Sequence, residues 1–235
     1  MAGETVKTKG IVLDIRPWSR TSHIVTWLTP DRGPVVTLVK GAVRPKSAFL
    51  GQYDLFYKCE LIYYARAKGE LHAIREVTPV DMHEYLRGDF RATAFASYAA
   101  YLVKEHCPHS GEAAAWFAFL ERMLDEARGL PQRMRSFVAL ETEFLSLAGL
   151  APDFADADLD AESVPFAVDL GHAGHGTRTL RIPSGAARIV AERGCADAVS
   201  AEDAAAAVRF LGLFLRYHLD IPPDIRRNTL QMLGC

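Results

Sequence analysis

The hydrophobic pattern of the chain changes its period once, near residue 80, and this change restricts the folds that are open to it. Before that point, apolar and polar residues alternate in short runs, as in half-buried strands. After it, apolar residues recur every three or four positions, as on one face of a helix. Strands followed by helices in a chain of 235 residues predict an α+β fold with two domains, residues 1–80 and 81–235.

Five strand-like runs fill the first predicted domain. They are rich in β-branched and aromatic residues, and turn sequences such as Asp31-Arg32-Gly33 and Lys68-Gly69 separate them. Five strands in so few residues favour a small barrel, and the five-stranded barrel that binds single-stranded nucleic acid is the oligonucleotide-binding fold (OB-fold). The predicted strands are Gly10–Ile15, His23–Leu28, Pro34–Val39, Leu55–Tyr64 and Glu70–Val77.

The second predicted domain is helical, with one interruption. Neither hydrophobic period persists between about residues 152 and 181, where an acidic run precedes a glycine- and histidine-rich stretch, 171–176. We therefore expect an irregular insert there. Helices are predicted at Phe90–His106, Ser110–Ala127, Arg133–Ala148, Pro183–Glu192 and Glu202–Leu219, with a short final helix after Pro222-Pro223. Helix 202–219 is apolar almost all round, so we expect it to lie centrally.

The two predicted domains differ in the sign of their net charge. Residues 1–80 hold twelve Lys and Arg against seven acids, a net charge of +5, whereas the remainder holds 15 against 22, a net charge of −7. A basic module attracts polyanions by Coulomb interaction and counterion release. The distribution favours a polyanion on the N-terminal domain, although a solvated surface or an enzyme for acidic metabolites would show a similar bias.

The third predicted strand leads into a basic loop, Lys40–Ser47, in which glycine and proline restrict the backbone. Cations on a constrained loop beside a sheet are suited to phosphate contacts, and exposed rings are suited to stacking on bases. The predicted nucleic-acid-binding set consists of Lys40, Arg44 and Lys46 for capture of phosphates, Arg16, Arg20 and Arg32 in support, and Trp18 for stacking. The other candidate rings, some of which must face the barrel interior, are Trp27, Phe49, Tyr53, Phe56, Tyr57, Tyr63 and Tyr64.

No motif for covalent chemistry is present. The chain lacks a GxSxG elbow, a GxxxxGK[ST] loop, an HExxH helix and a GxGxxG turn after a strand. Glu141 and Glu143 are two residues apart on a predicted helix, so they point to different faces and we expect them to be solvated. We predict that the protein is not an enzyme and needs no cofactor. Two other function classes stay open: a soluble metal-dependent enzyme acting on nucleic acid, and a protein adaptor that uses a basic barrel.

Cysteine spacing and apolar run lengths indicate the compartment. Cys59, Cys107, Cys195 and Cys235 are scattered without a CxxC pair, which argues against a cysteine zinc cluster and a disulfide scaffold. The apolar runs fall short of the roughly 18 residues that spanning a bilayer needs, and the N-terminus lacks a signal-peptide core. We expect a cytoplasmic protein that does not engage a membrane.

Several sequences, taken in their order and spacing, carry a family resemblance. Near the N-terminus they are Gly10-Ile11-Val12-Leu13, Arg16-Pro17-Trp18-Ser19, Thr29-Pro30, Arg32-Gly33, Lys40-Gly41-Ala42 and Arg44-Pro45-Lys46-Ser47. Further along they are residues 145–152, Arg181-Ile182-Pro183, residues 214–219 and Ile225-Arg226-Arg227. Together they resemble the RecO family of bacterial DNA repair and recombination proteins over essentially the whole chain.

The resemblance implies an N-terminal OB-fold domain, a helical second domain and a non-catalytic role in recombinational repair. Such proteins bind single- and double-stranded DNA, anneal complementary strands and assist recombinase loading on strands covered by single-strand-binding protein (SSB). The implied partners are the ring-forming RecR and the acidic C-terminal tail of SSB. That tail requires a cation beside an apolar pocket, for which the candidates are Arg135, Arg209 and Arg216. Several family members carry a four-cysteine zinc site in the insert, but residues 152–181 contain no cysteine, so we expect no zinc here.

Overall fold

Two compact units make up the fold in a computed structural model that describes residues 4–66, 69–109, 111–129, 133–195 and 200–235. The first unit comprises Met1–Gly88 and Ala99–Asp125, and the second comprises Asp89–Tyr98 and Glu126–Cys235. Strands dominate one and helices the other, which confirms the α+β fold class. The division into sequence domains at residue 80 stays a prediction. Lys68 of one predicted turn and Ser110 of one predicted helix lie outside the described residues.

The first unit contains a closed barrel with strand order β1-β2-β3-β5-β4, which confirms the predicted five-stranded barrel. All neighbouring strands are antiparallel except β3 and β5, which run parallel. The strands are β1 (Glu4–Ser19), β2 (Ser22–Thr29), β3 (Gly33–Val39), β4 (Lys58–Ala65) and β5 (Leu71–Asp81). The strand β1 is much longer than predicted, because residues 4–11 pair with β4 and residues 11–19 pair with β2.

Inward-facing apolar side chains fill the barrel. Trp27, Val12 and Leu61 are fully buried in one cluster, and the Trp27 indole N–H donates a hydrogen bond to Thr37 Oγ1 over 2.8 Å. This bond satisfies the polar atom of the largest residue in the core. The barrel core therefore uses one of the candidate stacking rings and removes it from the surface.

Helices α1 (Tyr85–Gly88) and α3 (Ala113–Glu126) complete the first unit together with the second half of α2 (Phe90–His106). Lys104 of α2 lies 3.1 Å from the Asp14 carboxylate of β1. Gly33, at the start of β3, has φ +67, and a Cβ atom there would lie 2.5 Å from the carbonyl oxygen of Pro108. Only glycine combines this conformation with this close approach, so Gly33 fixes how the β2–β3 turn contacts the chain after α2.

The second unit contains α4 (Arg133–Leu147), α5 (Ser184–Ala191), α6 (Ala201–Leu219) and α7 (Pro223–Leu233), which confirms the predicted helices. Ser200 caps the N-terminus of helix α6, since its hydroxyl accepts the N–H of Asp203 over 3.0 Å. It packs on α4 and α5, as its predicted central place requires. However, Leu213 and Tyr217 are 50% and 46% exposed, so one apolar stripe of this helix remains uncovered.

The predicted irregular insert contains a small antiparallel sheet, which corrects that part of the prediction. Its strands β6 (Ser163–Ala167), β7 (His172–Ala173) and β8 (Thr179–Pro183) have the order β7-β6-β8. The Asp169 carboxylate joins the ends of β6 and β8 by accepting the N–H groups of Thr177 and Arg178 over 2.9 and 3.1 Å. Phe166 anchors the sheet on α6 through Phe210, at 4.9 Å between ring centroids. Strands of two to five residues are too short to show a hydrophobic period.

Candidate nucleic-acid interface

A cleft of about 400 Å³ opens at the end of the barrel where the β1–β2 hairpin turn meets the end of β3. We refer to it as the basic cleft. Its lining residues are Trp18, Ser19, Thr21, Ser22, Leu38, Lys40, Gly41 and Arg44. Three residues of the predicted nucleic-acid-binding set, Trp18, Lys40 and Arg44, are therefore brought together in space although 22 or more positions separate the ring from the cations.

Local backbone geometry produces the cleft. The pairing of β1 with β2 shifts register between Pro17 and Ser19, and Trp18 occupies the resulting bulge with 61% of its surface exposed. On the other side, Gly41 turns the chain with φ +68, and its N–H donates to Ser22 Oγ over 3.3 Å. The bulge and the turn hold the ring and the cationic loop on neighbouring parts of one surface.

The loop that carries the cations is ordered by its own hydrogen bonds and by the barrel core. Consecutive turns close through the N–H of Arg44 to Gly41 O (3.1 Å) and the N–H of Ser47 to Arg44 O (2.9 Å). Ala42, which is 2% exposed, belongs to the main apolar cluster of the barrel, and Phe49 and Tyr53 pack against the same cluster. Because the loop is already ordered before a ligand arrives, it loses less conformational entropy on binding.

The predicted cations differ in whether a carboxylate neutralises them. Arg16 lies 3.4 Å from Asp14, which Lys104 also contacts, and Arg32 lies 3.8 Å from Glu4. Within the described ranges, no carboxylate oxygen comes within ion-pair distance of the other four cations, which are exposed: Arg20, Lys40, Arg44 and Lys46. An unpaired exposed cation keeps its full charge for a ligand, so the favourable part of the set is the part at and beside the basic cleft.

Arg32 is not brought into the basic cleft. The register of the β2–β3 hairpin pairs Thr29 with Gly33 at one end and His23 with Val39 at the other. Six residues of strand separate these ends by roughly 20 Å. At its own end, Arg32 lies near His72. Burial of that imidazole lowers its pKa, and the positive charges of Arg32 and Arg66 lower it further. The strand and turn assignments already implied this separation, because a hairpin turn and the far end of its second strand cannot coincide.

Exposure separates the candidate rings. Trp18 and Tyr64 are exposed, Phe49 and Tyr53 are partly buried, and the others, Trp27, Phe56, Tyr57 and Tyr63, are buried. Burial raises the pKa of Tyr53 to about 12, and its hydroxyl is 2.9 Å from Nδ1 of His23. Residue-type reasoning missed the hydroxyls of Ser19, Thr21 and Ser22, which line the basic cleft; their place in the hairpin turn is the signal that could have indicated them.

A second groove, of about 450 Å³, runs between α6 and α7 in the helical unit. We call it the α6–α7 groove. It contains two of the three predicted protein-binding arginines, Arg209 and Arg216, beside apolar side chains that include the half-exposed Leu213. Arg135 does not line it and instead donates from Nε to the carbonyl oxygen of Gly194 over 3.0 Å. The complete lining is Arg209, Gly212, Leu213, Leu215, Arg216, Ile221, Pro223, Arg226, Arg227 and Leu230.

A buried ion pair supports that groove. Arg226 donates to both oxygens of Glu141, over 2.6 and 2.8 Å, and Tyr98 donates to the same carboxylate over 2.8 Å. The expectation of a solvated Glu141 is therefore wrong, since its side chain is fully buried. A Cβ atom on Gly212 would lie 2.6 Å from Nη1 of Arg226, so glycine admits the guanidinium beside α6. Because Glu141 balances its charge, Arg226 shapes the groove and leaves Arg209 and Arg216 to attract an anion.

The insert does not fit the four-cysteine zinc site that the family resemblance brings with it. Residues 152–181 contain no cysteine, and Nδ1 of His172 is committed to the carbonyl oxygen of Ala173 at 2.8 Å. Across the described part of the chain, no three His, Cys, Asp or Glu residues gather in a way that could hold a metal ion. In the same residues, no helix has the length and apolar character needed to cross a membrane.

A closed five-stranded barrel with a basic cleft, in one chain with a helical unit, defines an OB-fold protein with a helical C-terminal region. Family models account for almost all of the chain. Residues 1–83 match the model described as "Recombination protein O N terminal", and residues 87–227 match "Recombination protein O C terminal". The chain belongs to the RecO family.

Curated relatives are named "DNA repair protein RecO". The chain is 31% identical to the protein of Anaeromyxobacter sp. (strain K) over 153 residues, which are 63% of this chain and 59% of that relative. It is 25% identical to the protein of Exiguobacterium sibiricum over 173 residues, which are 72% of this chain and 67% of that relative. The match to the Anaeromyxobacter relative thus spans less than two thirds of that protein's length.

Proposed function

We propose that this protein is a non-catalytic mediator of DNA repair and recombination, which binds single- and double-stranded DNA at the basic cleft and the adjoining loop. The observation that carries the proposal is the meeting of unneutralised cations, Lys40 and Arg44, with an exposed ring, Trp18, on an ordered surface. Arg20 and Lys46 adjoin residues of the same surface in sequence and extend its charge. Cations beside an aromatic platform suit a phosphate backbone with unstacked bases.

Strand annealing follows from the same features. Two DNA strands repel each other, and a cationic surface that holds phosphates lowers this repulsion while the base edges stay free to pair. Pairing then proceeds without a general acid, a general base or a metal ion. The proposed role includes assistance to recombinase loading on strands covered by SSB, in the cytoplasm.

The α6–α7 groove supports a protein partner for the same role. An acidic, partly apolar peptide would complement Arg209 and Arg216 beside Leu213, since charge and apolar surface both match. We assign this groove to the acidic C-terminal tail of SSB. Arg135, the third candidate arginine for this tail, lies outside the groove. The second partner, RecR, is proposed from family membership.

A paired substitution in the loop tests DNA binding. We expect Arg44→Ala with Lys46→Ala to weaken binding of a 20-nucleotide single strand and to reduce its salt slope by about 1 to 1.5, since each phosphate contact contributes about 0.7 on single strands. Lys7→Ala with Arg75→Ala is the matched control, because it removes two barrel cations that are paired with Glu60 and Glu76. Fluorescence anisotropy at several salt concentrations measures both quantities. An unchanged affinity and slope would remove the loop from the site.

An annealing assay separates the three function classes. Complementary strands are incubated with the protein with and without Mg²⁺, and the products are resolved by size. Faster annealing with no covalent change in either condition supports the mediator. Cleavage that requires the metal supports a nuclease, and an absence of DNA binding supports an adaptor.

A further inference from the structure

Trp18 differs from the other two tryptophans of the chain in its exposure. Trp27 is fully buried in the barrel and Trp116 is 2% exposed, whereas Trp18 is 61% exposed at the mouth of the basic cleft. Leaving so large an apolar surface in water is unfavourable by area alone. The chain holds it there with a backbone bulge between Pro17 and Ser19, and bulges commonly redirect a side chain at a functional site.

The basic cleft combines chemical groups that distinguish unpaired from paired DNA. Its volume of about 400 Å³ lies within the range of small-molecule sites, so it has room for one unstacked nucleotide unit. The indole offers a stacking face, the hydroxyls of Ser19 and Thr21 offer polar contacts, and Lys40 and Arg44 offer charge to phosphates. In a duplex, each base is already stacked and paired, so only the phosphates can reach this surface.

We propose that Trp18 is the residue that sets the preference of this site for unpaired over paired DNA. The proposal rests on the proposed function and adds to it separate roles for the cations and for the indole. The cations bind both forms of DNA through phosphates, while the indole stabilises only the form whose bases are free. When two strands pair, the base leaves Trp18 to stack within the duplex, and the annealed product is held by phosphate contacts alone.

Substitution of the ring tests the proposal directly. Affinities for an unstructured 20-nucleotide single strand and for a 20-base-pair duplex are measured for the wild type, Trp18→Ala and Trp18→Phe. We expect Trp18→Ala to lower single-strand affinity about 5- to 150-fold, the equivalent of one to three kcal/mol of stacking, and duplex affinity less than about twofold. Trp18→Phe should retain most of the preference. Tyr64→Ala, which removes another exposed ring of the barrel, is the control and should change neither affinity.

A second measurement uses the wild-type protein and does not depend on how the variants fold. Because Trp27 and Trp116 are buried, the acrylamide-accessible fluorescence comes from Trp18. We expect the single strand to quench the Trp18 fluorescence and to shield it from acrylamide. The duplex should leave this fluorescence accessible to acrylamide. Equal effects of both DNA forms, or equal affinity losses in Trp18→Ala, would overturn the proposal while leaving DNA binding intact. A wild-type protein that binds neither form would instead overturn the proposed function.

Discussion

At the scale of single residues, environment decides what a residue type does in this protein. The Trp27 indole is a core side chain whose N–H is bonded to Thr37, whereas Trp18 faces solvent from a bulge. In the same way, Arg32 has a carboxylate beside it and Arg44 has none among the described residues. The residue types are identical within each pair, so only their neighbours separate a structural role from a binding role.

The buried Glu141–Arg226 pair gives a stability prediction. Glu141→Gln should lower the free energy of unfolding by about 3 to 5 kcal/mol, because the Arg226 guanidinium would keep its charge in a largely buried place without a carboxylate. Urea unfolding followed by circular dichroism measures the change. Asp224→Asn is the control, since it breaks an exposed ion pair with Arg227 and should cost at most about 1 kcal/mol. Equal, small losses in both variants would show that the buried charge is compensated by other groups.

At the scale of elements, the candidate sites lie where two elements end or meet. The basic cleft lies where the β1–β2 turn approaches the end of β3, and the loop after β3 adds the cations. The α6–α7 groove exists because the elements packed on α6 leave part of its apolar stripe uncovered, including Leu213. Exposed apolar surface rimmed by cations is a common property of peptide-binding grooves.

The α6–α7 groove gives a prediction at this scale. Arg209→Ala with Arg216→Ala should weaken binding of a fluorescent peptide that carries the acidic C-terminal tail of SSB by about tenfold or more, since two cations are lost. Titration by fluorescence anisotropy measures this affinity. Arg181→Ala with Arg188→Ala removes two exposed arginines of the same unit that lie outside the groove, and it should have little effect. If both double variants bind the peptide as the wild type does, the tail contacts another surface.

At the scale of the whole molecule, the exposure of the four cysteines distinguishes the two units, since Cys59 and Cys107 belong to the first and Cys195 and Cys235 to the second. Cys59 and Cys107 are buried, and burial raises their pKa values to about 12 and about 11. Cys195 and Cys235 are exposed, but the Cys235 thiol itself is partly desolvated, which raises its pKa although the charge of Arg133 acts to lower it. Reactivity of a thiol requires both access and thiolate character.

Thiol titration therefore has a defined expected outcome. In the native protein at pH 8, a disulfide reagent such as Ellman's reagent should react with two thiols, with Cys195 faster than Cys235. The other two should react only after unfolding in denaturant. Cys195→Ser should leave one reactive thiol in the native protein. Rapid reaction of three or four thiols in the native state would contradict the described burial.

The sequence by itself determined the fold class, the five strands, the helices and the basic loop, because hydrophobic period, turn residues and charge are properties of short segments. It also singled out Trp18 among the candidate rings, since that ring lies between Arg16 and Arg20. Only the tertiary structure decided which side chains share a surface. It placed Trp18 beside Lys40 and Arg44, buried Glu141 against Arg226 and formed a sheet in the insert. These results depend on contacts between residues far apart in the chain, and no single segment contains that information.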